Sequence, residues 1–169
     1  MTTKAPPHRA AEERMQDFDA YVRARLPHLM RFGRALTADE HTAADLVQDA
    51  LERTLLQWNR IKGDPEPYVR RAMVNRSISV WRKHRRERVT DVLPDRGGTD
   101  QVRDHALFDA LRTLPPRQRA VIALRYYEDL TEAETAAVLG CSLGTVKSQA
   151  SDAIAKLRTL LPADEEDPS

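Results

Sequence analysis

The stretch DLTEAETAAVLGCSLGTVKS, residues 129–148, decides the fold. Thr131 and Glu134 stand at capping-box spacing, so each side chain can satisfy an orphan amide at a helix start. Leu139 is followed by Gly140, which can take the left-handed conformation that closes a helix. After Cys141, Ser142 is a good N-cap for a second helix. Two helices parted by only three residues cannot lie antiparallel. They must cross steeply, as in a DNA-binding helix-turn-helix, and the small Ala136 lets them approach.

Along the second helix Val146, Ala150, Ala153 and Leu157 share one face, assigned to the core. The opposite face presents Thr145, Lys147, Ser148, Ser151 and Asp152, with Gln149 on the flank. Short polar and donor-bearing side chains of this kind reach phosphates and base edges in a major groove. The plainer alternative is the wet face of an ordinary helical hairpin. Cap, turn length and polar face coincide against it.

Working outward, helical spacing recurs and no useful strand-like alternation appears, so the class is all-α. Phe18, Tyr21, Val22 and Leu26 fall on one face, and Leu29, Phe32 and Leu36 continue it after a kink expected at Pro27. Thr37 and Glu40 have capping-box spacing before a helix of about five turns, lined by Val47, Leu51, Thr54, Leu55 and Trp58. KGDPEP, residues 62–67, breaks that helix, and another follows to about residue 86. Residues 88–104 hold Pro94, Gly97 and Gly98 with little to bury, and are read as a flexible linker. Leu107, Leu111 and Leu114 then precede a helix with Val121, Ile122 and Leu124. The expectation is two small helical domains, 15–87 and 105–161, between a disordered N-terminus (1–14) and an acidic tail (162–169).

In a chain of 169 residues each domain is small enough to have only a marginal core, and such lobes are often completed by a partner. The net charge of +1 hides a segregated pattern. Residues 39–52 carry five acids and no Lys or Arg, whereas residues 60–88 carry ten Lys/Arg and three acids. Opposite surfaces for two partners explain this, as do salt-bridged solvated helices. No apolar run approaches a membrane span, and residues 1–14 lack a signal-peptide core, so the chain is read as cytoplasmic. The single Cys141 gives no disulfide framework or metal spacing.

Residues 129–148, with LPPRQR at 114–119 just upstream, closely resemble the fourth region of extracytoplasmic-function sigma factors. ADLVQDA at 44–50 resembles that family's polymerase-binding segment, and YVRR at 68–71 with Asn75 its promoter-melting segment. Asn75 followed by SVWRK at 79–83 is similar to the SigE-like branch. The resemblance spans about residues 15–160. It implies that Asp45, Gln48, Asp49 and Glu52, an acidic stripe at helical spacing, dock on the polymerase β′ coiled coil, with β as a further core contact. It implies that Asn75 lies against the upstream edge of the −10 element, and that the loop at 59–66 captures a flipped base. Arg71, Arg76, Arg82, Lys83, Arg85 and Arg86, with Arg70, suit phosphates there. Thr145, Lys147, Ser148, Gln149, Ser151 and Asp152 would read the −35 element. Partners implied are core RNA polymerase, promoter DNA and an anti-sigma protein, with no cofactor or metal and no catalysis.

Some residues depart from the pattern. Gln149 and Asp152 stand where many relatives carry arginines, Ser79 replaces an acid, and Thr135 replaces an aliphatic residue. Trp58 and Trp81 could stack unpaired bases or fill the core. Cys141 is read as a small turn residue before a redox-sensitive thiol. The rival reading is a free-standing helix-turn-helix regulator with an N-terminal sensing or dimerising domain. It accounts for residues 107–160 but not for the acidic stripe, broken loop and basic Asn75 helix in that order. An enzyme is a distant third, with no phosphate-cradling loop or nucleophile constellation.

Overall fold

The computed structural model describes residues 6–86 and 102–161, which form seven α-helices and no strand. The all-α expectation holds. Helix α1 spans Pro7–Thr37, α2 Glu40–Gln57 and α3 Glu66–Arg86. After the undescribed stretch come α4 (Val102–Thr113) and α5 (Pro116–Ile122), the latter continued by a π-helical turn, Ala123–Tyr127. Helices α6 (Glu132–Leu139) and α7 (Leu143–Leu160) complete the fold.

Several boundaries differ from the expectation. Disorder was expected to residue 14, yet α1 begins at Pro7. Proline at the first helical position is preorganised for a helix, and the Arg9–Glu13 pair lies one turn apart at 3.6 Å. Pro27 lies inside α1, which continues on both sides of it. The cap of α2 is Asp39 and not Thr37: its Oδ2 accepts from the Thr42 amide at 2.8 Å and the Thr42 hydroxyl at 2.6 Å. Burial alone would raise the Asp39 carboxyl, but those two bonds outweigh it and hold the group below its ordinary range. Thr37 instead closes α1, its hydroxyl bonding back to the Gly33 carbonyl at 2.9 Å. Helix α4 starts at Val102, inside the stretch expected to be linker, and the rest of that stretch (88–101) lies outside the described residues.

Helix α2 packs against α1 at short range because Gly33 has no side chain. A Cβ there would stand 3.3 Å from both the Cβ and the carbonyl oxygen of Ala43. Leu29, Phe32 and Leu36 of α1 pack with Leu46, Val47 and Ala50 of α2 and Val69, Met73 and Val74 of α3. Trp58 is part of this packing, edge-on to Phe18 at 5.2 Å and tilted against Tyr21 at 5.6 Å. Glu66 ties the start of α3 to α1, accepting from Arg25 Nε at 2.5 Å and the Tyr21 hydroxyl at 3.0 Å.

The second half has a small buried cluster of its own, Val121, Ala136 and Val146, but it also packs into the first half. Ala120, Ala123 and Leu124, from α5 and the π turn, belong to the same buried cluster as Phe32 and Met73. A smaller cluster joins Ala38, at the end of α1, to Leu111, Leu114 and Ala153. The two parts read from the sequence are therefore packed together through two clusters that take residues from both. Small helical lobes expose too much apolar surface alone, and each covers the other here.

Candidate nucleic-acid interface

The helix-turn-helix is built as its caps dictate. Thr131 Oγ1 accepts from the Glu134 amide at 3.1 Å, and Glu134 Oε2 accepts from the Thr131 amide at 2.7 Å. Those bonds hold the fully exposed Glu134 carboxyl below its ordinary range. Gly140 takes the left-handed conformation (φ 63°), and Ser142 Oγ accepts from the Thr145 amide at 3.1 Å. Val146 and Ala153 are buried, with Ala150 and Leu157 half-buried behind them. Thr145, Lys147, Ser148, Ser151 and Asp152 are exposed on the opposite face, and Gln149 is half-buried on the flank. Lys147 reaches back to Glu132 at 3.8 Å, a loose pair that a phosphate can replace. Thr135 is fully buried and its hydroxyl has no hydrogen-bond partner among the described residues.

On α2, Asp45, Gln48 and Glu52 are exposed and Asp49 is half-buried. Gln48 donates to Glu52 at 3.2 Å. Asp49 is engaged: it accepts from Arg53 Nε at 2.9 Å and lies 3.6 Å from Arg76 of α3. An apolar groove of about 260 Å³ between α1 and α2, lined by Phe18, Met30 and Leu51, borders the same stripe at Gln48 and Glu52.

Helix α3 buries Val69, Met73 and Val74 and turns Arg71, Asn75, Arg76, Ser79, Arg82 and Lys83 outward. Asn75 lies between two open cavities. One, of about 400 Å³, is lined by Arg53, Tyr68, Arg71, Arg76 and Ser79 as well. The other, of about 600 Å³, adds Ile78, Arg82 and Lys83, and is lined from the second half by Arg117 and Leu139. Arg85 and Arg86 fall in the last turn of α3, and their side chains lie outside the described residues.

Two residues here were not singled out from the sequence. Tyr68 is 37% exposed and lines the Asn75 cavity, offering a ring beside an amide and three guanidiniums. Its signal was available, since positions 68, 71, 75 and 79 share one helical face. Arg117 had no such signal, because only the packing of the halves brings it to α3. Arg70, grouped with the phosphate cations, points elsewhere: its Nε donates to Glu128 Oε2 at 3.0 Å.

Among the described residues no helix is long and apolar enough to cross a membrane, and no three potential metal ligands cluster. The fold and faces define a two-part helical protein, with one helix-turn-helix and one basic helix set beside an acidic stripe. Family models agree with both parts: Sigma-70 region 2 matches residues 21–87 and Sigma-70, region 4 matches residues 110–159. The chain is 43% identical to the RNA polymerase sigma-E factor of Streptomyces avermitilis over 84% of its length and 83% of that protein's. It is 42% identical to that of Streptomyces coelicolor, covering 87% of each. Its structure resembles the sigma factor RpoE of Bartonella quintana, solved in complex with the anti-sigma factor NepR, with a TM-score of 0.69 and 27% identity, covering 88% and 99% of the chains. The chain belongs to the extracytoplasmic-function sigma factors, in their sigma-E-like branch, which bind core RNA polymerase and direct it to promoters.

Proposed function

We propose that this sigma factor divides its contacts among three surfaces. The stripe Asp45, Gln48, Asp49 and Glu52 docks on the basic coiled coil of the polymerase β′ subunit. Asn75, with Tyr68, Arg71, Arg76, Arg82, Lys83, Arg85 and Arg86, holds the melted strand of the −10 element. Thr145, Lys147, Ser148, Gln149, Ser151 and Asp152 read the −35 element in the major groove. An anti-sigma protein is the expected regulator, and solved relatives are described in complex with such proteins. Catalysis belongs to the polymerase, and this chain supplies recognition.

The observation that carries this reading is the setting of Asn75. A neutral hydrogen-bonding amide sits on an exposed basic helix, with an aromatic ring on one side and cations on both. That combination suits unstacked bases and their phosphates better than duplex alone. A free-standing regulator would need no such strand site beside an acidic stripe. Run-off transcription with purified core on genomic fragments tests the proposal. Discrete start sites that require this protein support it, and core-independent tight binding to duplex operators would overturn it.

A further inference from the structure

The helix-turn-helix, residues 131–158, carries three acidic side chains, and local contacts account for two of them. Glu134 closes the capping box, its Oε2 accepting from the Thr131 amide at 2.7 Å. Glu132 lies 3.8 Å from Lys147. The third, Asp152, is exposed on α7 and makes no hydrogen bond or ion pair among the described residues. Its nearest candidate partner is held away. Lys156 stands one turn further along the helix, at the spacing where a cation supports a preceding acid. Its Nζ donates instead to the Thr113 carbonyl, at the end of α4, at 3.0 Å. The Asp152 carboxylate is therefore left open as an acceptor.

Position on the helix decides what that carboxylate meets. Asp152 follows Ser148 by four residues and Thr145 by seven, so the three share one stripe, and all are exposed. Val146 and Ala153 anchor the other side of the helix in the core. The inference rests on the reading of α7 as the −35 helix, which turns this stripe to the major groove. A carboxylate there gains nothing from phosphates. Its oxygens only accept, so its favourable partner on a base edge is an exocyclic amino group. Guanine presents two acceptors, N7 and O6, and thymine an acceptor beside a methyl group, so both are disfavoured. Adenine offers its N6 amino group but sets the N7 acceptor next to it. Cytosine offers its N4 amino group with no acceptor on its own edge.

We propose that Asp152 selects a cytosine in the −35 element by accepting a hydrogen bond from its N4 amino group, and excludes guanine at that position. The charge that weakens the general grip of α7 on DNA is thereby the source of discrimination at one base pair. Holding Lys156 on Thr113 keeps the acceptor available, since a lysine on Asp152 would occupy it.

The test is holoenzyme binding, at one fixed salt concentration, to a promoter mapped by run-off transcription and varied through all four base pairs at each −35 position. The wild type should prefer cytosine over guanine at one position on the order of ten-fold. Asp152→Ala should flatten that position and strengthen binding slightly and evenly elsewhere, because a negative charge near phosphates has gone. Asp152→Asn should move the preference at the same position toward adenine, whose N6 and N7 suit a carboxamide. Helicity should be unchanged in both, the site being exposed. If Asp152→Ala raises binding equally on every variant and leaves the wild-type preferences intact, Asp152 is only a repulsive surface charge and the proposal is overturned. Gln149→Ala and Ser151→Ala judge the underlying reading of α7 on the same panel. Should those two alter base preference while Asp152→Ala does not, the cytosine contact fails and the −35 assignment stands. Should the wild-type holoenzyme bind every variant alike, both fail.

Discussion

Asp49 of α2 lies 3.6 Å from Arg76 of α3 while accepting a hydrogen bond from Arg53 at 2.9 Å. The carboxylate at the centre of the acidic stripe is therefore already shared with the basic face. The proposed docking and strand-binding surfaces meet at this one residue, so its replacement would disturb both. Asp45 and Glu52 are exposed and, among the described residues, make no hydrogen bond or ion pair to α3, which makes them the cleaner probes.

Reversing them together, Asp45→Lys with Glu52→Lys, should reduce core-polymerase affinity on the order of 100-fold, because like charges then meet at the interface. Helicity should not change, since exposed substitutions cost little stability. A gel-filtration or anisotropy titration against core checks this. Normal binding by the folded double variant would remove the stripe as the docking site.

Asn75→Ala should slow promoter melting with little effect on stability, its side chain being exposed. Permanganate reactivity of the −10 region should fall. Run-off transcription should recover on a template carrying a pre-melted bubble, because the missing contact acts on the open strand. Failure of the bubble to rescue would assign Asn75 some other task.

The helix-turn-helix was legible because its signals are local: Thr131, Glu134, Gly140 and Ser142 specify caps within one turn of themselves. The polar face of α7 followed from spacing alone. Three things were hidden. The Asp39 cap was displaced from the expected Thr37 by two residues, since several oxygen-bearing side chains there compete for one amide. More consequentially, the union of the halves depends on Ala120, Ala123 and Leu124 meeting Phe32 and Met73. Such pairings across the chain leave no periodic trace, and small apolar residues in a short helix look the same whichever partner they meet. The π turn that aims Glu128 was hidden for a similar reason, because packing rather than propensity inserts the extra residue.

Thr135 buries a hydroxyl with no hydrogen-bond partner among the described residues. Thr135→Val keeps the shape and removes the desolvated group, so it should stabilise the protein by about 1 kcal/mol. Thermal denaturation would show a raised midpoint. A lowered midpoint would mean that the hydroxyl is satisfied in solution.

Acid sensitivity should have a traceable source in Glu66. Burial alone would raise its carboxyl, but hydrogen bonds from Arg25 and Tyr21 outweigh that and hold it below the ordinary range. Because the folded value is the lower one, the stabilisation is complete above the unfolded value, near 4.3, and is lost as pH falls through the folded value. Glu66→Gln should cost about 1–2 kcal/mol at neutral pH, the partly exposed Arg25 limiting the figure. It should also flatten the acid limb of stability against pH. An unchanged acid limb would place the titration elsewhere.

Promoter reading by α7 gives the final prediction, and its logic is electrostatic. Residues 131–158 carry three basic and three acidic side chains, so the module is neutral overall. Lys147 stands on the exposed face, only loosely paired with Glu132. A phosphate contact from Lys147 would add affinity without regard to sequence, so Lys147→Ala should weaken binding about equally on every promoter variant and reduce the salt slope by about one. Ser151, exposed, and Gln149, on the flank, have donors and acceptors suited to base edges. Their replacement by Ala should alter tolerance at particular −35 positions, by about 1–3 kcal/mol at each. The measurement is holoenzyme binding to a panel of single-position −35 variants at fixed salt. It must be made with core present, because a neutral module gains little from phosphates alone, and core would turn two weak contacts into one bivalent contact. Equal losses across the panel for all three substitutions would show that α7 positions the protein without reading the sequence.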